Sequence, residues 1–387
     1  MKTLHSRTWQ TLLAFCACTL SLTVPSFGAN NGNGNGNSKG HKAEGAVFVM
    51  SNDAEKNEIV AFNRQDDGTL TFDNRYSSRG SGQGVDFDTQ GGLTLSSDHR
   101  FLYACNPGTD DVAVFSVEGS KLKFLQLVEA GDQPLSITLS GNLAYVLDGS
   151  VAGNGITGFT VSADGKLTPI PNSFRALSSP IAVPGEVRFS PDGRFLVVTH
   201  KVGSMIDVFQ VGSTGLAGNP TPYPSAGPRP FAVAFRNDGK LLVVESGLPT
   251  PANAGVSSYD MNAGSGALSV VTASAKNMQT DGCWIVITGD QRYAYTANFV
   301  NGTISSYLLG AGGTVTLING AAASSGATSN VTDLGFSADS RYLYNLLRGA
   351  GGVAAYRVEP DGGLTPLGVV YDKSLIPTNG PSGLASY

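Results

Sequence analysis

Apolar and polar positions alternate along most of this chain in short runs of β-branched and aromatic residues, broken every few residues by Gly, Asp or Asn. An alternation of period two predicts half-buried strands, and no stretch keeps the period that an amphipathic helix needs. The runs repeat in a fixed arrangement. A turn of the form Asp-x-Arg/Lys recurs at Asp98-His99-Arg100, Asp192-Gly193-Arg194, Asp238-Gly239-Lys240, Asp290-Gln291-Arg292 and Asp339-Ser340-Arg341. Each copy lies between two apolar runs, 187–189 and 195–198 for example, and a sixth copy over 137–145 shortens the turn to Gly141-Asn142. A third run follows every copy. In most copies an Asp-Gly turn, such as Asp164-Gly165 or Asp361-Gly362, then leads into a fourth, because Asp-Gly takes up the positive φ of a tight hairpin without strain.

Four antiparallel strands per unit, repeated every 45 to 50 residues or so, describe the blades of a β-propeller. Six units are complete. Residues 46–78, with the hairpin Asp67-Gly68, supply three strands of a seventh, and Pro381-Ser382-Gly383-Leu384-Ala385 supplies its first. Pairing the chain ends closes the ring and removes the open sheet edges. The predicted fold is an all-β, seven-bladed propeller over residues 44–387.

The first residues follow another pattern. Lys2, His5 and Arg7 precede the apolar stretch 12–24 and the small residues Ser26, Gly28 and Ala29, which predicts an export signal over 1–28. The Asn-Gly repeats that follow bury nothing and predict a flexible tether over 29–43. The expected location is outside the cytoplasm, periplasmic or extracellular. The apolar stretch is shorter than the roughly 20 residues of a membrane-spanning helix, and no transmembrane segment is expected.

The whole chain has 25 Lys and Arg against 30 Asp and Glu. An acidic surface argues against nucleic acid as a partner, since phosphate binding needs basic side chains to displace counterions. Without residues 1–28 only Cys105 and Cys283 remain, and no His pair falls at ligand spacing. No disulfide framework, metal or other cofactor is therefore expected. The protein is expected to be a monomer.

Chemistry in a propeller gathers at the mouth of the central channel. Counting six residues beyond the turn's Arg or Lys reaches Asn106, His200, Ser246, Asn298 and Leu347, with Asp148 in the shortened copy. Lys201, Glu245 and Arg348 lie beside these positions, and the first strands bring Glu186, Arg188, Arg229, Asp281 and Asp333. The candidate catalytic residues are His200, Glu186 and Glu245, with His200 moving a proton and a carboxylate orienting it. The candidate substrate ligands are Arg229, Arg188, Asp148, Asn298 and Arg348, the arginines forking onto a carboxylate. The plainer reading of every one of these groups is a strand cap or a link between blades.

The units Val187-Arg188-Phe189-Ser190-Pro191-Asp192-Gly193-Arg194 and Leu334-Gly335-Phe336-Ser337-Ala338-Asp339-Ser340-Arg341, with the Asp-Gly-x-Leu hairpins, resemble the seven-bladed lactonase family. That family includes 6-phosphogluconolactonase and the carboxymuconate-lactonizing enzymes. Gly227-Pro228-Arg229-Pro230 resembles its Gly-Pro-Arg-His segment, which implies that Arg229 is a substrate ligand, and Glu245 resembles the acidic residue on the next strand. The pattern departs at Pro230 and at Gly185, both of which stand where the family carries His. Two functions follow as expectations: a lactonase-like enzyme acting on a carboxylated lactone or a related small molecule, or a non-catalytic propeller binding a protein, glycan or surface through its rim loops.

Overall fold

The structure, a computed structural model, describes residues 42–151 and 153–387; the predicted export signal and nearly all of the tether lie outside the described residues. The described residues form seven antiparallel sheets, each wound outward from an inner strand. Blade 1 consists of Leu93–Leu95, Phe101–Asn106, Asp111–Glu118 and Lys121–Glu129. Blade 2 runs through Pro134–Ser140, Leu143–Asp148 and Gly155–Val161 to an outer edge split into Leu167–Pro169 and Arg175–Ala176. Blade 3 is Pro184–Phe189, Phe195–His200, Met205–Gln210 and Thr221–Pro224, and blade 4 is Pro230–Phe235, Leu241–Glu245, Gly255–Met261 and Leu268–Lys276. Blade 5 is Gly282–Ile287, Tyr293–Asn298, Thr303–Leu309 and Val315–Ser324, and blade 6 is Val331–Phe336, Tyr342–Leu347, Gly352–Val358 and Leu364–Tyr371.

Blade 7 closes the ring as expected. Its inner strand, Leu384–Ser386, pairs Val49↔Leu384, Phe48↔Ala385 and Val47↔Ser386 with Ala43–Met50, and Glu58–Gln65 and Leu70–Ser77 complete the sheet. The seven-bladed, all-β prediction stands. The paired strand begins at Leu384 rather than Pro381, and the residues before it also bond the neighbouring strand: Ser382 N donates to Met50 O at 3.3 Å and Gly383 O accepts Met50 N at 3.0 Å.

The repeated turn is held by its own side chains. Asp98, Asp192, Asp290 and Asp339 each accept the hydroxyl two residues earlier, at 2.6 or 2.7 Å, and the backbone N–H two residues later. The Asp-Gly hairpins serve the neighbouring blade: Tyr103 O–H donates to Gly165 O at 2.8 Å, Tyr295 to Gly362 O at 3.0 Å and Tyr344 to Gly68 O at 3.0 Å. A second-strand tyrosine thus staples one blade to the next. The core lies between blades, where faces of large side chains meet, as where Phe231 of blade 4 packs against Trp284 of blade 5 with ring centroids 5.1 Å apart.

Candidate functional site at the channel mouth

In blades 2 to 6 the inner strand carries a register shift near its start, between Pro134 and Ser136, Pro184 and Val187, Pro230 and Val233, Gly282 and Ile285, and Val331 and Leu334. A bulge takes an N–H out of the ladder, and buried in the channel wall that group needs another acceptor. The preceding blade supplies it. Ser136 Oγ lies 3.4 Å from Val187 N, Glu186 Oε2 accepts Val233 N at 2.8 Å, and Asp333 Oδ2 accepts Gly383 N at 3.2 Å. Glu186 and Asp333 are therefore parts of a belt that joins successive inner strands. Burial raises both carboxyls above their usual range, Asp333 to about 7, while the Arg188 charge pulls Glu186 back.

Blade 4 has Ala232 where blade 3 has Glu186, so it offers nothing to Ile285. The segment before blade 1 takes over. Gln90 Oε1 accepts Ile285 N at 2.9 Å, its Nε2 donates to Ile285 O at 3.2 Å, and its own N–H donates to Gly185 O at 3.0 Å. Thr89 Oγ1 donates to Leu135 O at 3.0 Å, Gly91 O accepts Ile137 N at 2.9 Å, and Phe87 N donates to Ser382 Oγ at 3.2 Å. Residues 86–91 thus reach blades 2, 3, 5 and 7 and close the channel at the level of Gly185 and Ile285. Blade-by-blade reading passed over this plug, which has no blade pattern. Its signal was length: residues 78–92 form the longest link between blades, and long links in compact domains are commonly functional.

One mouth lies at the starts of the inner strands and the ends of the second strands. In blades 2 to 6 the residue just before the inner strand is left-handed, with φ of 66° at Gln133, 46° at Val183, 55° at Arg229, 62° at Asp281 and 44° at Asn330. In four blades its carbonyl accepts the N–H just past the second strand: Gly149 to Gln133 at 3.1 Å, Lys201 to Val183 at 3.2 Å, Ser246 to Arg229 at 3.0 Å and Phe299 to Asp281 at 2.9 Å. A conformation that costs L-residues about 1–2 kcal/mol recurs around this mouth, and such strain gathers where side-chain placement matters.

The last residues of the second strands point elsewhere. Asp148, His200, Glu245 and Asn298 occupy equivalent positions, facing Pro134, Pro184, Pro230 and Gly282, and all are buried. Asp148 Oδ2 accepts Asp132 N at 3.0 Å, Asn298 Oδ1 accepts Asn277 Nδ2 at 2.9 Å, and Glu245 Oε2 accepts Ser274 Oγ at 2.9 Å. Burial pushes Asp148 and Glu245 up to about 7. His200 Nε2 stands 2.9 Å from Asp207 Oδ2, at an angle poor for a hydrogen bond, and Nδ1 has no partner among the described residues. Asp207 already accepts Ser178 N and Oγ at 2.8 and 2.6 Å. These four side chains clasp strands and linkers together, away from the channel.

Strand alternation gives the reason: one residue further along, the side chain points to the other face. The residues that follow His200, Glu245, Asn298 and, in blade 6, Leu347 are Lys201, Ser246, Phe299 and Arg348, which turn toward the mouth. The count of six slips in blade 4, whose turn closes from Arg236 N to Lys240 O where blade 3 closes from Ser190 N to Phe195 O. Its strand is one residue out, so Glu245 rather than Ser246 takes the place of His200.

At the mouth itself, Arg229 Nε donates to Ser246 Oγ at 3.3 Å. Lys201 is buried beneath Asp88, bonding both its carboxylate, at 2.6 Å, and its carbonyl, with the ammonium 4.6 Å from the Phe231 ring centre. Arg348 donates to Asn379 O at 2.5 Å and lies 3.6 Å from Asp86 Oδ2. Arg348 and Lys201 thus hold the first half of the plug, at Asp86 and Asp88. Asp281 accepts the Cys283 thiol at 3.3 Å. Burial and then the Asp88 charge push its carboxyl up to about 6, against the pull of Cys283, Arg229 and Lys201. Beside Lys201 and Asp88 a recess of about 390 Å³ opens between Phe87, Leu135, Val183 and Pro184.

Arg188 belongs to the other mouth. It sits five strand positions from the left-handed residue of its blade, about 16 Å along the strand at ~3.3 Å per residue. It and Arg229 therefore do not meet over one small anion. At Gly185, a Cβ would overlap Phe231 O, so this blade has no room for the His of the resembled pattern.

Among proteins of known sequence and structure, the family described as "Lactonase, 7-bladed beta-propeller" matches residues 57–184. That stretch includes the plug and ends before Arg229 and Asp281. A 6-phosphogluconolactonase of Yersinia enterocolitica is 25% identical over 159 residues, 41% of this chain; the match spans 45% of that relative's length. A Bacteroides uniformis protein crystallised as a candidate 6-phosphogluconolactonase superposes with a TM-score of 0.70 at 16% identity, over 89% of this chain and all of its own. The periplasmic gluconolactonase of Pseudomonas aeruginosa gives 0.65 at 16%, over 88% and 98%. At that identity the two structures speak for the fold.

Proposed function

We propose that this divergent relative of the seven-bladed lactonase-type propellers is an exported hydrolase that opens a carboxylated lactone at the mouth lined by Arg229 and Asp281. One observation carries the reading: the Ser246 backbone bonds Arg229 O and Asp281 N, setting an arginine and a carboxyl with a pKa of about 6 at neighbouring places on one mouth. With Nε on Ser246, Arg229 keeps both terminal nitrogens for the substrate carboxylate. Asp281, ionised above pH 6, takes a proton from water as its oxygen attacks the lactone carbonyl carbon. The ring C–O bond then breaks, the proton passes from Asp281 to the leaving alkoxide, and a hydroxy acid results. Here Asp281 does the work that the sequence assigned to His200, while His200, Glu186 and Glu245 act as positioning residues.

A second reading, a non-catalytic binding propeller, is favoured by the lack of a histidine at this mouth among the described residues. His200 is buried against Asp207, and His99 stacks on Tyr387 with ring centres 4.8 Å apart.

Hydrolysis of a panel of carboxylated and sugar lactones, followed by pH-stat, separates the two. Loss of a proton-transfer group costs about 10²–10⁴ in rate, so Asp281→Asn should fall by at least 100-fold and Arg229→Gln should raise KM. No turnover of any lactone by the unaltered protein supports the binding propeller. Export is tested by the N-terminus of the protein recovered outside the cytoplasm, expected to follow Gly28 or Ala29.

A further inference from the structure

The turn-side mouth holds a basin of about 770 Å³ that has no share in the Arg229 site. Blades 1, 2 and 3 line it, with Thr94, Thr138, Ser140, Arg188 and the rings of Phe101 and Phe189 among its walls. Its size falls in the range of small-molecule sites. Gln90, bonded to Gly185 on one side and Ile285 on the other, stands between it and the opposite mouth.

Its polar groups are built in rather than scattered. Arg188 Nη1 donates to Glu186 Oε1 at 2.7 Å, and Glu186 is buried and fixed in turn by Val233 N. The guanidinium is thus held from below, on a side chain 42% exposed, with Nε and Nη2 unused. Thr138 Oγ1 accepts Phe189 N at 3.2 Å, which leaves its proton free to donate into the basin. Thr94 Oγ1 donates to Gly91 O or Ile137 O, both at 3.1 Å, which leaves its lone pairs free to accept. A forked donor, a hydroxyl donor and a hydroxyl acceptor beside aromatic rings complement a carboxylate that also carries hydroxyl groups. Because Glu186 neutralises Arg188, charge alone does not retain a ligand here, and the hydroxyls must contribute.

We propose that the turn-side basin is a second binding site, for a small hydroxylated carboxylate of the sugar-acid class, with Arg188 as its carboxylate ligand. It is independent of the reading of the Arg229 mouth. The test is calorimetric titration of the full chain with D-gluconate, against acetate and sorbitol, which each carry half of the recognised chemistry. Loss of a charge-assisted pair costs an order of magnitude or more in affinity, so Arg188→Met should weaken gluconate by about tenfold or more. Ser140→Trp, which fills the basin and leaves Glu186 paired, should do the same, while Arg229→Gln leaves this affinity within about twofold. Acetate and sorbitol should bind at least about tenfold more weakly than gluconate. The proposal is overturned by an absence of saturable gluconate binding, or by binding that survives Ser140→Trp and disappears in Arg229→Gln.

Discussion

Arg229 and Asp281 occupy the same place in successive blades, both left-handed, and one residue joins them: Ser246 N donates to Arg229 O at 3.0 Å and Ser246 O accepts Asp281 N at 3.1 Å. The relation fixes two backbones whose side chains differ in charge. It also ties the proposed chemistry to a strained conformation, which makes stability and activity oppose each other at Arg229. Arg229→Gly removes the left-handed penalty of about 1–2 kcal/mol and gives back about 0.5–1 in chain entropy. The variant should therefore keep or slightly raise its Tm while losing lactone turnover; a fall of several degrees would mean that the Arg229 side chain holds the mouth together.

Asp281 sets the pH dependence of the proposed reaction. A base must be ionised to accept a proton, so kcat/KM should rise with pH through about 6 and level off above 7. Cys283→Ala removes the thiol hydrogen bond that favours the ionised form, which should move this limb upward. A limb that stays in place in Cys283→Ala would assign it to another group.

Stability should follow the buried carboxyls. Asp148, Glu245 and Asp333 are all pushed up to about 7 by burial, far above the ordinary carboxylate range. Between the two values the folded chain binds more protons than the unfolded chain, so stability falls as pH rises. The Tm should be highest near pH 4 and lower at pH 8. Asp98, held down at about 2 first by its Ser96 hydrogen bond, works in the other direction, and its contribution disappears only as pH drops below about 4. Thermal unfolding from pH 4 to 8 measures this, and a Tm that climbs toward pH 8 contradicts it.

The inner-strand belt predicts a cost at Glu186. Glu186→Ala leaves the Val233 N–H buried without an acceptor, and a cost of about 2–4 kcal/mol is expected in urea unfolding. Glu186→Gln keeps a carbonyl for Val233 and should lose less than half of that. Equal losses in the two variants would show that the charge on Arg188, and not the Val233 hydrogen bond, is what Glu186 serves.

Two glycines separate local from tertiary constraint. Gly68 and Gly239 share a φ of 85°, yet a Cβ at Gly239 meets nothing within 4 Å while one at Gly68 overlaps the Tyr342 ring. Gly239→Ala should cost about 1 kcal/mol through conformation alone. Gly68→Ala should cost at least about 1 kcal/mol more through overpacking, measured in the same denaturant series.

The sequence by itself determined the architecture, because blade formation rests on local signals that repeat. The Ser/Thr-x-Asp turn satisfies its own backbone, the Asp-Gly hairpin supplies its own positive φ, and alternation fixes which face is buried. Repetition then counts the blades, and the orphan strands at 46–78 and 381–385 closed the ring on paper as Val47–Val49 and Leu384–Ser386 close it in space. The mouth was less legible. That Arg229 stands at the start of an inner strand could be read from Gly227-Pro228-Arg229-Pro230. That His200 and Glu245 turn into the blade while Lys201 and Ser246 turn outward could not, since a one-residue difference in turn length or strand end reverses every side chain. The link that forms the plug could be picked out by its length, but not its contacts: nothing local to Gln90 announces that its amide pairs with Ile285, 195 residues away, where Ala232 offers the channel wall no acceptor. Strand pattern is dictated by near neighbours, but a buried N–H is satisfied by whatever the closed ring brings within reach, and only the tertiary structure decides which residue that is.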